Sequence, residues 1–509
     1  AYGLYIAGSD SNTTDLTGNI TTTGDSATGL LVSGSNSNTT NHTGNITTAG
    51  DYAYGLRLFT SDSNTTNLTG NITTTGDSAV GLQLVSSDSN TTNHTGNITT
   101  AGDYAAGLYL SFSDSNTTNL TGNITTTGDG AFGLYLASSD SNTTNLTGNI
   151  TTIGAGAGLQ LANSDSNTTN LTGNISTTGD GVSASGVFLL LSDSNTTNLT
   201  GNITTTGDGA FGLYLSGSDS NTTNLTGNIT TAGTVGPGLF LAGSDSNTIT
   251  INGDIITSAT DGDSEPILLN ISDSNTFILT GAVHSLGGDQ AISVSSTSQN
   301  NTFTFKRGAS FIGGLENNGG TTNKLIFDMG KASSYNLDTD GTTWTLEDLY
   351  KPIVSGSAKS MGVADIDNQA HILYRRMDPV NDVLSERQRL YTEGQRPTGY
   401  YMDSYYGHDK RDEDYSEISG NAGGVTVGYV LENTQTPMEV LVNFEVSQDN
   451  YGSGLAKQIT ETNSLLAGLY LPAIAEDVMG GNLSAKVLVG MSDNDAKRTV
   501  LNNSLGAST

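Results

Sequence analysis

Two aspartates recur in successive 26-residue copies near the middle of this chain's first half, as Asp62 and Asp77, Asp88 and Asp103, and Asp114 and Asp129. Carboxylates at a fixed spacing can ligate a hard cation, act as acid or base, or accept backbone N–H groups in turns. If the copies stack, like charges line up roughly 4.8 Å apart. Bound Ca²⁺ at positions such as Asp114 and Asp129 would relieve that repulsion. The competing reading is that turn aspartates simply accept hydrogen bonds while remaining solvated. The nine-residue phrase of Ca²⁺-binding solenoids does not occur.

The other reactive residue types are sparse. Of five histidines, only His42 and His94 share a position in the copies; each replaces an inward Leu. They lie two copies apart, roughly 10 Å if stacked, which is too far to share one metal ion, so they read as tolerated substitutions. There is no cysteine, and hence no thiol nucleophile, thiolate metal site or disulfide. No Gly-x-Ser-x-Gly elbow, His-Glu-x-x-His motif or phosphate-binding Gly-rich loop stands where a fold would need it. A non-enzymatic protein is expected. What the copies do present is polar surface: rows of Thr-x-Asn-x-Thr, among them Thr121, Asn123 and Thr125, and a variable position that is Tyr5, Tyr109, Tyr135 and Tyr214 in four copies. Such Thr arrays suit ice or crystalline polysaccharide, and exposed tyrosines suit a binding surface. The Asn-x-Thr sequons at Asn116, Asn119 and Asn123 are read as strand and turn chemistry rather than as glycan acceptors.

The element that must carry these rows is a repeat. The phrase from Ser113 to Ser138 recurs with openings at Ser9, Ser35, Ser61, Ser87, Ser113, Ser139, Ser164, Ser192, Ser218, Ser244, Ser272 and, degenerately, Ser298. A unit this short encloses no core of its own and must stack on its neighbours. Within one copy, Thr118, Leu120, Gly122 and Ile124 alternate with Thr117, Asn119, Thr121, Asn123 and Thr125, a strand with one buried and one polar face. Leu134-Tyr135-Leu136 signals another strand, its middle residue facing solvent. Twenty-six residues trace a loop of roughly 85 Å, which fits a coil of two or three short strands. Length changes fall only between the Ile-Thr-Thr and Gly-Leu-x-Leu segments, marking an exposed loop. The constant Ser-Asp-Ser-Asn turn places Asn64, Asn90, Asn116 and Asn142 where they are expected to stack as an amide ladder. After Ser244 the phrase decays toward Phe277, Phe303, Phe305 and Trp344, as the closing end of a solenoid should.

Charge narrows the partners. The chain has 50 acidic and 18 basic residues; before Lys306 the count is 23 acidic against the single basic Arg57, a net of −22. Such a surface repels nucleic acid and anionic lipid headgroups. No apolar run reaches the roughly 18 residues of a spanning helix. Ala1 stands inside a phrase that elsewhere closes a copy, so the amino terminus is read as cut.

Beyond about residue 350 the pattern changes. Asp378-Pro379 followed by Val380, Val383, Leu384 and Leu390 predicts a helix starting there with Pro in its first turn. Met438, Val440, Val442, Phe444 and Val446 then interleave with Glu439, Asn443 and Glu445, and Leu483, Ala485, Val487, Val489 and Met491 with Ser484, Lys486 and Gly490. Alternation over about ten residues is the signature of a transmembrane β-barrel strand. Five such strands are expected, near 398–408, 424–432, 438–448, 462–471 and 482–492. With Ser334 to Leu337, Gly341 to Leu346, Gly399 to Gly407, Gly424 to Tyr429 and Asn494 to Thr499 in that order, the chain resembles the autotransporters, surface proteins of Gram-negative bacteria that export their own β-helical passenger.

The resemblance implies an all-β chain: a right-handed parallel β-solenoid over 1–314, a cap and junction over 315–353, a linker and pore helix over 354–395, and an incomplete antiparallel barrel over 396–509. It implies an adhesin or interaction rod held at the cell surface by an outer-membrane barrel. The partners would be membrane lipid for the barrel, and a host-cell, matrix or glycan ligand for the rod. Asn381 is the candidate for passenger release. The five strands and the absence of a terminal aromatic residue lead to the expectation of a fragment truncated at both ends.

Overall fold

The computed structural model describes residues 2–258, 264–287, 290–329, 339, 341–349, 353–355, 361–363, 369–393, 395, 397–413, 416–431, 437–453, 456–478 and 481–500. The chain divides into two compact units, the first built on Ala1–Met329 and Leu337–Asp348, the second on Met361–Thr509.

The first unit is a parallel β-solenoid of about twelve coils. Each coil contributes one strand to each of three sheets, here A, B and C, of 13, 14 and 12 strands. One coil supplies Thr117–Thr121 to sheet B, Ile124–Thr126 to sheet C and Leu134–Ala137 to sheet A. Neighbouring coils pair in strict register: Leu120 with Leu146, Ile124 with Ile150, Leu108 with Leu134. Identical side chains therefore stack as ladders, and the interior holds Leu134 and Leu136, Leu120, and Ile124 with their counterparts.

The alternating segment read as one strand is two. It breaks at Gly122, whose φ of 144° lies where side chains are disfavoured and where a Cβ would come within 2.1 Å of the Gly96 carbonyl oxygen. Only glycine lets the chain turn there with the neighbouring coil so close, and that turn separates sheet B from sheet C. The copies with altered length keep register, Leu134 pairing with Leu159 and Leu159 with Val187. The extra residues sit in the loop before sheet A, partly as a short 3₁₀ turn at Val182–Ala184.

The Asn ladder forms as expected. Asn116 donates its backbone N–H to Asn142 Oδ1 at 2.8 Å and its Nδ2 to the same oxygen at 3.1 Å. Toward the carboxyl end, the inner columns of sheet B change from Thr223 and Leu225 to Phe277 and Leu279, then Phe303 and Phe305. Phe277 and Phe303 stack at 4.5 Å, and Trp344 meets Phe303 edge-on while its Nε1 donates to the Leu315 carbonyl. Rungs continue through Leu315–Asn317, Lys324–Asp328 and Thr345–Asp348, into the segment read as the cap.

Among its described residues the second unit holds one helix, α1 (Gln369–Thr392), a short antiparallel pair, Ile353–Ser355 with Met361–Val363, and a sheet of five antiparallel strands: Gly399–Glu413, Ser416–Leu431, Met438–Ser453, Ala456–Val478 and Gly481–Val500. All five expected strands are present and longer than their alternating cores. The helix begins nine residues before the expected Asp378, so Pro379 lies in its interior. A helix of 24 residues continues through a proline that removes one intrahelical hydrogen bond.

Candidate functional surfaces

Each candidate on the solenoid is placed by its row. The Asp114 carboxylate accepts the backbone N–H of Asp140 at 2.7 Å, and Asp114 in turn donates its own N–H to Asp88. Asp129 donates its N–H to Asp103 Oδ1 at 2.9 Å. Both are exposed, and both belong to ladders in which carboxylates hold the turn of the next coil. Among the described residues no group of three or more His, Cys, Asp or Glu is arranged to hold a metal ion.

The Thr-x-Asn-x-Thr row does not form one flat face. Thr121 ends its strand in sheet B, Asn123 sits in the corner, where its Oδ1 accepts the Asn149 N–H at 2.8 Å, and Thr125 faces outward from sheet C. The continuous outer array lies instead on sheet B, where Thr117, Asn119 and Thr121 repeat in register and Asn119 Nδ2 donates to Asn93 Oδ1. Nothing in the sequence pattern alone marks the corner, because Gly122 keeps the period of two.

Tyr109, Tyr135 and Tyr214 do lie on the outer side of sheet A, but mainly against one another. Tyr109 and Tyr135 stack at 5.1 Å, and Phe188, Tyr214 and Phe240 form a second stack at 4.7 and 5.2 Å. Phe132 and Phe211, from the preceding loop, close on Tyr135 and Tyr214. Phe188 is buried and the other rings of the two stacks are half-buried, each with at least one face against its neighbour in the stack; burial, with Tyr109 beside it, pushes the Tyr135 phenol up.

The inner side of sheet B carries hydroxyls without protein partners, those of Thr66, Thr92, Thr118, Thr144, Thr169, Thr197 and Thr223, and the buried rings of His42 and His94, which lie beside backbone of Gly44 and Gly96. His94 is 2 % exposed, and burial lowers its pKa to about 4, so it is neutral at pH 7.

The second unit reverses the usual layering of a sheet. Tyr400, Met402, Tyr406, Val440, Val442, Phe444, Val446, Val487, Val489 and Met491 are exposed, whereas Thr426, Glu439, Asn443, Glu445, Ser447, Thr462 and Ser464 are buried. Part of this buried polar set is connected, while the hydroxyls of Ser447 and Ser464 have no hydrogen-bond partner. Thr426 donates to Asn443 at 2.8 Å, Asn443 to the Tyr405 hydroxyl, and Tyr405 to Glu445 at 2.7 Å. Tyr401 and Tyr405 lie over Gly428 and Gly424, their direct cross-strand partners, where a Cβ would collide with the ring.

Helix α1 packs on this polar side. Val380 and Leu384 meet Leu441 and Tyr470. Arg387 forms a two-pronged pair with Glu439, at 2.6 and 2.8 Å, and stacks 3.8 Å from the Tyr401 ring centroid, and the Tyr391 hydroxyl donates to the same carboxylate at 2.9 Å. Asn381 is half-buried, and its side-chain oxygen accepts from Lys486. The Arg387–Glu439 pair was invisible to sequence reasoning: the partners are 52 residues apart, and the only signal was Glu439 at a polar position inside an apolar alternation.

Comparison with known proteins adds the following. The family described as periplasmic copper-binding protein (NosD) matches residues 94–264, which lie wholly inside the solenoid and make up a third of the chain. No curated protein matches the sequence. Among solved structures, tailspike protein gp49 of Acinetobacter baumannii bacteriophage Fri1, a capsular polysaccharide depolymerase, aligns at 9 % identity and a TM-score of 0.20, covering 86 % of this chain and 81 % of that one. A likeness that loose carries no argument about this protein's activity.

Proposed function

We propose that this chain comes from a self-exporting surface protein of the autotransporter type, in which the solenoid is a non-enzymatic adhesin or interaction rod and the five-stranded sheet is part of its outer-membrane translocator. The observation that carries the reading is the reversed layering of the sheet. A sheet that met water with Val440, Val442, Phe444 and Val446 while burying Glu439, Asn443 and Glu445 would be unstable. With lipid on the apolar side, both faces are satisfied. No described helix is long and apolar enough to span a membrane, which leaves strands as the spanning elements of this reading. Chain order supports it too, with a rod of stacked coils followed by a helix and then antiparallel strands. Copper carriage is a weaker fit, because the matched span 94–264 contains one histidine, His94, and neither cysteine nor methionine.

The test is display. When the gene is expressed with its native flanking sequence in a Gram-negative host, the sheet should fractionate with the outer membrane, and protease added to intact cells should remove the solenoid. Retention of the whole protein in the periplasm as a soluble species would defeat the proposal.

A second reading rests on sheet B, where Thr, Asn and Thr stand in unbroken register from Thr39, Asn41 and Thr43 to Thr222, Asn224 and Thr226. An array that regular suits ice or crystalline polysaccharide, and thermal hysteresis in a solution of the protein is its measurement.

A further inference from the structure

Arg57 is the only basic residue before Lys306, on a stretch that carries 23 acidic residues. It occupies the outward position of sheet A that is Leu31 in the coil before and Gln83 in the coil after. Other coils place Tyr5, Tyr109, Gln160 or Phe188 there, so the fold itself does not call for a cation. The guanidinium carbon sits 4.7 Å from the ring centroids of both Tyr54 and Phe59. Arg57 Nε is buried without a hydrogen-bond partner, and no ion pair among the described residues includes Arg57. In register beside it, Gln83 is 5 % exposed, and its Oε1 is likewise buried and unpartnered.

A guanidinium held between two rings has little freedom left to lose, and burial of Nε leaves its terminal nitrogens as the donors a ligand can reach. That planar fork matches a carboxylate. The surroundings restrict what may carry it. The strand of Arg57 is hydrogen-bonded to neighbours on both sides, so an acidic peptide cannot add as a further strand. A net of −22 over the solenoid disfavours a polyanion. Aromatic surface beside the fork is what a sugar needs, its apolar C–H faces against Tyr54 and Phe59, the latter exposed.

We infer that Arg57, Tyr54 and Phe59 form a recognition site for a glycan that ends in a single carboxylate-bearing sugar. The inference rests on the display reading above and names its ligand class.

The probe is 3′-sialyllactose titrated into the full-length chain in detergent, with lactose and the sialyllactose methyl ester as uncharged comparators and a hyaluronate oligosaccharide as the polyanion. Binding is expected for sialyllactose, and at least about tenfold weaker for both neutral sugars and for hyaluronate. Arg57→Gln should weaken sialyllactose binding at least about tenfold, with Arg57→Lys intermediate because it keeps the charge but loses the fork. Gln is already the residue at this position in two coils, so Arg57→Gln keeps the ladder, and unchanged thermal unfolding verifies it. Equal binding by Arg57→Gln, equal binding of lactose, or no binding of sialyllactose at millimolar concentration each overturns the inference. Failure of the display reading looks different: the solenoid would be absent from the cell surface even if the purified chain bound sialyllactose through Arg57.

Discussion

The solenoid and the five-stranded sheet both alternate apolar and polar residues with a period of two, yet they bury opposite classes. In the solenoid Leu134 and Leu136 go in while Tyr135 faces out; in the sheet Glu439, Asn443 and Glu445 go in while Val440, Val442 and Phe444 face out. Alternation therefore identifies a strand but not the solvent on either side of it. What the buried polar groups bond to differs between the two regions. In the sheet the buried Glu439, Asn443 and Glu445 pair with residues on other elements, from Arg387 to Tyr405. In the solenoid the turn Asn ladder is satisfied within its own column; both regions also hold buried hydroxyls without a partner, the inner Thr row in the solenoid and Ser447 and Ser464 in the sheet.

The contrast is broken most severely at Arg387. Arg387→Ala leaves Glu439 buried and unpaired, which should cost about 3–5 kcal/mol of the second unit's stability. Unfolding in detergent by urea should show it, and pairing Arg387→Met with Glu439→Leu should recover most of the loss. A cost within the range of an exposed pair would mean that this polar interior is wet.

His94 gives the next largest effect, confined to the solenoid. Its folded pKa of about 4 lies below the ordinary 6.5, so the fold favours the neutral ring. That contribution is fully present above pH 6.5, is lost as pH falls from 6.5 toward 4, and changes no further below. The loss is about 3 kcal/mol. His94→Leu, which restores the residue found in most coils, should remove most of this pH dependence, as urea midpoints at pH 7 and pH 4 would reveal; His42, also shifted down by burial, should retain a smaller share. The smallest effect is expected at Thr118. Thr118→Val replaces an unpartnered buried hydroxyl with a methyl and should stabilise by up to about 1 kcal/mol. A loss instead would show that the hydroxyl has a partner, such as enclosed water.

The stacked architecture was legible from the period alone, because indels confined to one loop and a turn of constant length leave little choice about which residues stack. The corner at Gly122 was not, since Thr-Gly-Asn-Ile continues the alternation while the backbone turns. The tyrosines were correctly placed outward, but a single coil gives no sign that in-register copies cover each other's rings. Helix α1 was found from its apolar spacing and its start misplaced, because Pro379 has the same local signature at a first turn as in a helix interior. Five strands were visible in the second unit. The Arg387–Glu439 pair that ties helix to sheet depends on tertiary approach, to which local patterning is blind.

The central claim is that the apolar side of the sheet meets lipid. The chain has no native cysteine, so single cysteines at each position from 439 to 446 can carry a nitroxide label without background in the full-length protein in phospholipid vesicles. Collision with oxygen should peak at positions 440, 442, 444 and 446, and residues 439, 443 and 445 should be shielded from it, giving an accessibility that alternates with period two. High accessibility to a water-soluble nickel chelate at 440, 442, 444 and 446 would contradict the account.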